Sequence, residues 1–349
     1  MKKQGVLPID VEQALTTIGQ RLESGENVEA DLPLVVAGIA ALPAENVSQA
    51  SREIALTAKL YRWRQEPTIL HGLPRRHLSD KEQLLRLPNL SFLFLFHSDG
   101  RIREAALQRI SGGLQSPFLF AAVALRLNDW VEEVRSAAWA CAQRCYPLTS
   151  PDVIAGAATA LLLRQGSWGR WGGEREAIET AFSRPDVAAR LADDLVNART
   201  GPASKVLRAA LKHDTLDPHL ERLAAQAKQP SVRAMAVQTI ADMRASWPAG
   251  LEWRWIDKSM GKRVPVQKFD WREITILLPR ERTVRAAIVD RSALVRKASL
   301  DALIRRNLQS AETRELAVRL ATDPARSVRE RAAFILSRNN EPSSLTGSR

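Results

Sequence analysis

The sequence is poor in the residues that enzyme and metal chemistry most often need. It holds two cysteines in 349 residues, Cys141 and Cys145. Their four-residue spacing sits on one helix face, which does not suit a disulfide, and two thiols without a second ligand pair make a poor zinc site. Both read as small buried residues in a reducing compartment. The five histidines, His71, His77, His97, His213 and His219, form no H-E-x-x-H arrangement, and none precedes a glutamate. There is no G-x-G-x-x-G, no phosphate-loop lysine and no G-x-S-x-G elbow. These absences predict no metal, no cofactor and no catalytic residues, so the chain reads as not an enzyme. No stretch reaches ~18 uninterrupted apolar residues. The opening MKKQGVLPID has no apolar region behind its lysines. The expectation is a soluble cytoplasmic protein with no membrane partner.

Aromatic residues are scarce too, at 5%, yet nine of the nineteen are tryptophan and only two are tyrosine. Hydrophobic residues at 45% and charged ones at 26% exclude a broadly disordered chain. The net charge of +12 is unevenly placed. Residues 1–58 carry 4 basic against 8 acidic groups, whereas residues 250–340 carry 20 against 11. The cations are 11 lysines and 40 arginines. Arginine offers a planar fork that pairs with carboxylate or phosphate and stacks on rings.

Apolar positions fall at helical spacing over residues 10–23, 32–42, 48–64 and 84–96, and no stretch sustains the alternation of a sheet. Ser150-Pro151-Asp152 supplies an N-cap serine with proline at the first helical position. From Asp99 onward a signature recurs: an aliphatic-Arg pair, a small residue three after the arginine and, in most copies, an aliphatic one seven after it. The copies centre on Arg103, Arg135, Arg233, Arg296 and Arg329. The outer intervals, Arg103 to Arg135 and Arg296 to Arg329, are nearly equal. The inner ones, Arg135 to Arg233 and Arg233 to Arg296, lie near three and two times that length. A period of about 32 residues holds two helices and two turns, the mark of a helical repeat array. Asp99 precedes its arginine by four positions, and Asp129, Asp290 and Asp323 precede theirs by six, where a turn or N-cap belongs.

The segments VDRSALVRKASLDAL and TDPARSVRERAAFIL resemble the short HEAT repeat of the phycobilisome-lyase-like type, over most of residues 80–338. In that family Asp and Arg commonly form a hydrogen-bonded ladder between successive repeats. The resemblance makes Asp129, Arg135, Asp290, Arg296, Asp323 and Arg329 candidates for such a ladder. It also predicts an interruption at Arg233, where Lys228-Gln229-Pro230 stands in place of the aspartate. HEAT-like alkylpurine DNA glycosylases use tryptophans and an aspartate, but no aspartate of this sequence aligns with that role. A chromophore lyase would rest on the repeat resemblance alone.

Three Trp-Arg clusters occur, YRWR at 61–64, WGRW at 168–171 and WRW at 253–255. Trp63 precedes Arg103, Trp168 precedes Arg208 and Trp255 precedes Arg296 by nearly the same distance, which predicts equivalent elements in three modules. Residues 248–270 break the period with Pro248, Gly250, Gly261 and Pro265 and read as an extended loop or short hairpin. The binding candidates are therefore Arg62, Trp63, Arg64, Trp168, Arg170, Trp171, Trp253, Arg254, Trp255, Lys258, Lys262, Arg263 and Lys268. Buried cation–π pairs are the structural account of the same residues.

The expected architecture is all-α, a right-handed α-solenoid of about sixteen to eighteen helices in antiparallel pairs. Its parts are an N-terminal helical cap (1–64), HEAT-like repeats (65–246), an irregular insertion (247–270), C-terminal HEAT-like repeats (271–338) and a disordered tail (339–349). The expected function is a non-enzymatic scaffold holding an acidic protein partner on its concave, C-terminally basic surface. Nucleic-acid binding, with a role in DNA repair, is the alternative.

Overall fold

Apolar residues three and four apart make most of this chain helical, and prolines, glycines and short polar turns end the helices. The structure, a computed structural model, describes residues 5–61, 79–164, 168–306 and 311–338. The chain divides into two compact units, Met1–Arg190 and Leu191–Arg349. The first holds α1 (Ile9–Ser24), α2 (Leu32–Ala40), α3 (Val47–Thr57), α4 (Asp80–Arg86), α5 (Leu90–Phe94), α6 (Gly100–Arg109), α7 (Pro117–Leu127), α8 (Glu132–Cys145), α9 (Pro151–Leu161) and α10 (Arg175–Phe182). Helix α11 (Pro185–Asn197) carries the chain across the division. The second holds α12 (Ala203–Ala210), α13 (Leu220–Gln226), α14 (Pro230–Asp242), β1 (Arg244–Asp257), β2 (Lys262–Glu273), α15 (Arg280–Ile288), α16 (Ala293–Arg305), α17 (Ala311–Leu320) and α18 (Arg326–Arg338). The chain is thus mostly helical, but the two-stranded sheet departs from the all-α expectation. No helix among the described residues is long and apolar enough to cross a membrane.

Local chemistry sets the helix ends. Ser150 caps α9 through a hydrogen bond from the Val153 amide, with Pro151 behind it, and Ser116-Pro117 starts α7 in the same way. The apolar run expected as one helix over 84–96 is instead split into α4 and α5. Pro88 has no amide to donate and forces the preceding Leu87 out of the helical region, to φ −123° and ψ 85°. Helix α3 stops at Thr57, well short of the expected end, and the chain turns through Lys59 at φ 52°.

In the first unit α7 (PFLFAAVALRL) is apolar on nearly every side and almost wholly buried, with α2, α3, α8 and α9 as neighbours. Cys141 and Cys145 are buried on α8 with their sulfurs 3.9 Å apart. In the second unit α14, α16 and α18 lie in series, with α13, α15 and α17 packed against them. Ala241, Val284, Ile288, Leu300, Leu303, Leu320, Val328 and Ile335 belong to one buried cluster there.

The recurrent arginines make one pattern of bonds. In every copy Nη1 donates to the carbonyl six residues upstream: Arg103 to His97, Arg135 to Asp129, Arg233 to Ala227, Arg296 to Asp290 and Arg329 to Asp323. In three copies the remaining fork, Nε and Nη2, takes both oxygens of the next copy's aspartate. These forks are Arg103 on Asp129, Arg233 on Asp290 and Arg296 on Asp323. Asp99, Asp129, Asp290 and Asp323 in turn accept the amide two residues on, closing a turn ahead of the helix. Two copies differ: the Arg135 Nε donates to Glu174, and Arg329, in the last copy, bonds the Asp323 and Pro324 carbonyls.

Two sequence expectations change here. Arg233 lacks an upstream aspartate yet still forks Asp290, because the fork points to the following copy and not to its own turn. The interval from Arg233 to Arg296 is also not two periods. The strands and their turn, Arg244 to Glu273, fill nearly one period's length by themselves, and what remains of the interval is a single period. Likewise Arg233 reaches Asp290 across a sequence separation of 57, which without the strands becomes the 27 that separates Arg296 from Asp323.

Candidate functional site

The inserted strands pair as an antiparallel hairpin, with Arg244 opposite Glu273 at the root and Asp257 opposite Lys262 at the tip. At ~3.3 Å per residue the 14-residue β1 is roughly 45 Å long. It is a longer element than the expected insertion at 247–270 and includes the first residues assigned to the repeats after it. The tip turns where Asp257 accepts the amides of Ser259 and Met260 and Gly261 takes φ 64°. A second irregularity falls between Pro248 and Leu251, where Gly250 takes φ 102°, a value that suits only glycine.

The root is fixed to the helices. Ala245 is fully buried. Arg272, which pairs with it across the strands, reaches both oxygens of Asp217 at 2.8 and 2.6 Å and the carbonyls of Leu211 and His213. The Ile274 amide donates to the Met243 carbonyl and closes the ladder. Beyond Ala249 the residues of both strands are exposed or partly so.

Paired residues share a face and alternate residues point to opposite faces. The register therefore gathers Leu251, Trp253, Trp255, Arg263, Phe269 and Trp271 on one face, with Arg254 and Lys268 on the other. On the first face Trp253 is 60% exposed and Trp255, Phe269 and Trp271 about half. The Arg263 guanidinium lies 5.0 Å from the Trp253 ring and 5.8 Å from that of Trp255. Arg244 stacks on Trp271 at 3.9 Å. The indoles thus keep cation–π partners without being buried, each pair contributing about 0.5–1 kcal/mol at such exposure. Lys258 and Lys262 are exposed at the tip. Beside them, hydrogen bonds from the Ser259 hydroxyl and from the Ser259 and Met260 amides hold the Asp257 carboxyl below its ordinary range.

The other candidates sit elsewhere. Trp168, Arg170 and Trp171 occupy an irregular segment before α10, where the two indoles meet edge to face at 5.0 Å. Arg175 lies over Trp171 at 5.9 Å. The Arg170 amide donates to Asn128 Oδ1, next to the turn that carries the 72%-exposed Trp130. One Trp-Arg cluster is therefore in a loop and another in a strand, so these two are not equivalent local elements. Arg62, Trp63 and Arg64, most of the connection after them and the tail 339–349 lie outside the described residues.

Sequence reasoning missed Trp271, Phe269 and Arg244. Their signal is an aromatic residue at every second position, at 253 and 255 on one strand and at 269 and 271 on the other. Among the described residues no group of three or more His, Cys, Asp or Glu side chains is placed to hold a metal ion.

Many of the arginines at 250–340 are engaged within the molecule. Arg272, Arg285, Arg305, Arg319, Arg326 and Arg331 each pair with a carboxylate, as does the ladder arginine Arg296. Comparison with known proteins yields no family model that matches the chain and no matching curated protein.

Proposed function

We propose that this protein is a non-enzymatic adaptor whose helix pairs stack as HEAT-like repeats of a right-handed α-solenoid, and that it binds an acidic protein partner in the cytoplasm through the hairpin arm. One observation carries this reading: a strand pair anchored at its root, and exposed or partly so beyond it, displays Trp253, Trp255, Phe269 and Trp271 with interleaved arginines. Tryptophan and arginine are the residues that concentrate binding energy at protein interfaces. A contiguous exposed apolar face rimmed by polar groups marks an interaction surface. An acidic protein is favoured over nucleic acid because Arg263 and Arg244 already cover indole faces that bases would need for stacking. Glu252, Asp257, Asp270 and Glu273 also dilute the arm's cations.

The test is comparative capture with the full chain and with Trp253→Ser/Trp255→Ser. The expected result is one or more acidic proteins retained by the wild type and lost by the variant, with circular dichroism unchanged. Identical bound proteins in both captures, or a nucleic-acid complex at physiological salt that the variant loses, would overturn it.

A further inference from the structure

Where the hairpin leaves the helices, a cleft of about 710 Å³ opens between the strand root, the start of α15 and the end of α16. Met243 ends α14 in the left-handed conformation, at φ 49°, which turns β1 away from the helix and leaves the space. Four arginines line the cleft, Arg244, Arg280, Arg305 and Arg306, against two carboxylates, Asp242 and Glu273. Arg305 is neutralised by Asp242 through contacts of 2.9–3.2 Å, and Arg244 stands opposite Glu273 across the strands. Two positive charges remain. Arg280 spends its Nε on the Ala241 carbonyl. Arg306 makes no side-chain hydrogen bond or ion pair among the described residues. Two guanidiniums beside one cavity, with Asp242 and Glu281 only partly offsetting the charge of Arg280, repel each other unless an anion sits between them. In keeping with that, burial and then the neighbouring charge of Arg306 draw the Arg280 guanidinium below its ordinary range.

We propose that this cleft is a binding site for a small phosphate monoester. Arg280 and Arg306 take the phosphoryl group, and the wall formed by Trp271 and Ile274 takes the organic part. The charge match selects the anion: a phosphate monoester is close to dianionic at neutral pH, equal to the excess of the lining, and guanidinium forks suit its oxygens. The volume selects a molecule larger than the free ion, since small-molecule sites typically span about 300–1,000 Å³. The site shares Trp271 and Arg244 with the root end of the face that engages a partner, but its phosphoryl-binding arginines, Arg280 and Arg306, lie on the helices, and its occupancy does not depend on that reading.

The experiment is isothermal titration calorimetry of the full chain with phenyl phosphate, inorganic phosphate and benzoate, which separate dianion from aromatic ring. Phenyl phosphate is expected to bind best and benzoate worst. Arg306→Gln should weaken phenyl phosphate by about tenfold or more, the loss of one charge-assisted contact. Because Arg306 holds no other group in place among the described residues, this variant is expected to keep the fold where Arg280→Gln would also lose the bond to Ala241. No binding of phenyl phosphate, benzoate binding as tightly as phenyl phosphate, or unchanged affinity in Arg306→Gln would each overturn the assignment.

Discussion

Asp129 is the most heavily committed carboxylate of the ladder. It accepts the Arg103 fork and a second contact from Arg126 at 2.9 Å, and its side chain is 2% exposed. Burial draws the Arg126 guanidinium down to about 10, so it is still a cation at neutral pH. Asp129→Ala would leave two guanidiniums buried without a carboxylate, whereas Asp323→Ala would strand only Arg296, 13% exposed. Removing one partner of a buried pair costs roughly 3–5 kcal/mol, and a more solvated charged bond about 1.5–3 kcal/mol. Urea midpoints should therefore place Asp129→Ala well below Asp323→Ala. The same carboxylates govern acid stability. Hydrogen bonds from Arg296 hold Asp323 below its ordinary range. Partial burial pushes Asp290 up, but the Arg233 fork and the Ser292 amide outweigh it and bring the net shift downward. A carboxylate depressed in the fold stabilises it above the unfolded-state value, near 3.9, and loses that contribution as pH falls through the folded value. Stability should hold from neutral pH to about 5 and then fall steeply below about 4, with the fall shallower in Asp323→Asn. The arginine spacing was legible in the sequence. The direction of each fork was not, because it depends on which copy packs beside which.

At the scale of elements, the hairpin is an addition that the neighbouring helices tolerate. Helices α14 and α16 stay neighbours and Arg233 still reaches Asp290, although both strands and their turn intervene. Long insertions at such points cost little, since loop-closure entropy rises only slowly with length. Excising residues 248–269 and closing Trp247 to Asp270 with Asn-Gly keeps Ala245, Arg272 and the Asp217 contact, and supplies a two-residue hairpin turn. The shortened protein should retain its helical circular dichroism and melt within a few degrees of the parent while losing partner capture. A large drop in melting temperature would show that the upper arm is part of the core. Sequence reading recognised the interruption but assigned it too few residues. The reason is physical: the irregularities at Pro248/Leu251 and Trp255/Asp257 shift the register, and both faces of the arm are solvated, so the apolar alternation of a half-buried strand is broken. Helices were legible because their apolar periodicity is enforced by burial, except where Pro88 splits one apolar run into two.

For the whole molecule, charge decides between partners. The formal +12 does not by itself locate the charge a partner meets: ion pairing leaves the net value unchanged but fixes many arginines of the second unit in ladder and surface pairs. The cations left exposed and without a carboxylate within pairing distance include Arg254, Lys258, Lys262 and Arg263, concentrated toward the arm's outer half. So small a cluster, with Glu252 and Asp257 among it, is a steering charge more than a track for a nucleic-acid backbone. Binders with six to ten phosphate contacts lose about 10³–10⁵ in affinity between low and moderate salt. For an acidic protein, exposed charges act mainly on the association rate, while the desolvated aromatics set the dissociation rate. Arg254→Glu/Lys262→Glu/Arg263→Glu should therefore slow association by about tenfold at low salt and leave dissociation nearly unchanged. Salt should narrow the difference as the Debye length falls toward ~8 Å. Trp253→Ser/Trp255→Ser should do the reverse, speeding dissociation with little effect on association or on its salt dependence. Surface plasmon resonance at two ionic strengths separates the two variants. A charge reversal that acted on dissociation alone would mean that these cations are buried in the complex and do not steer it.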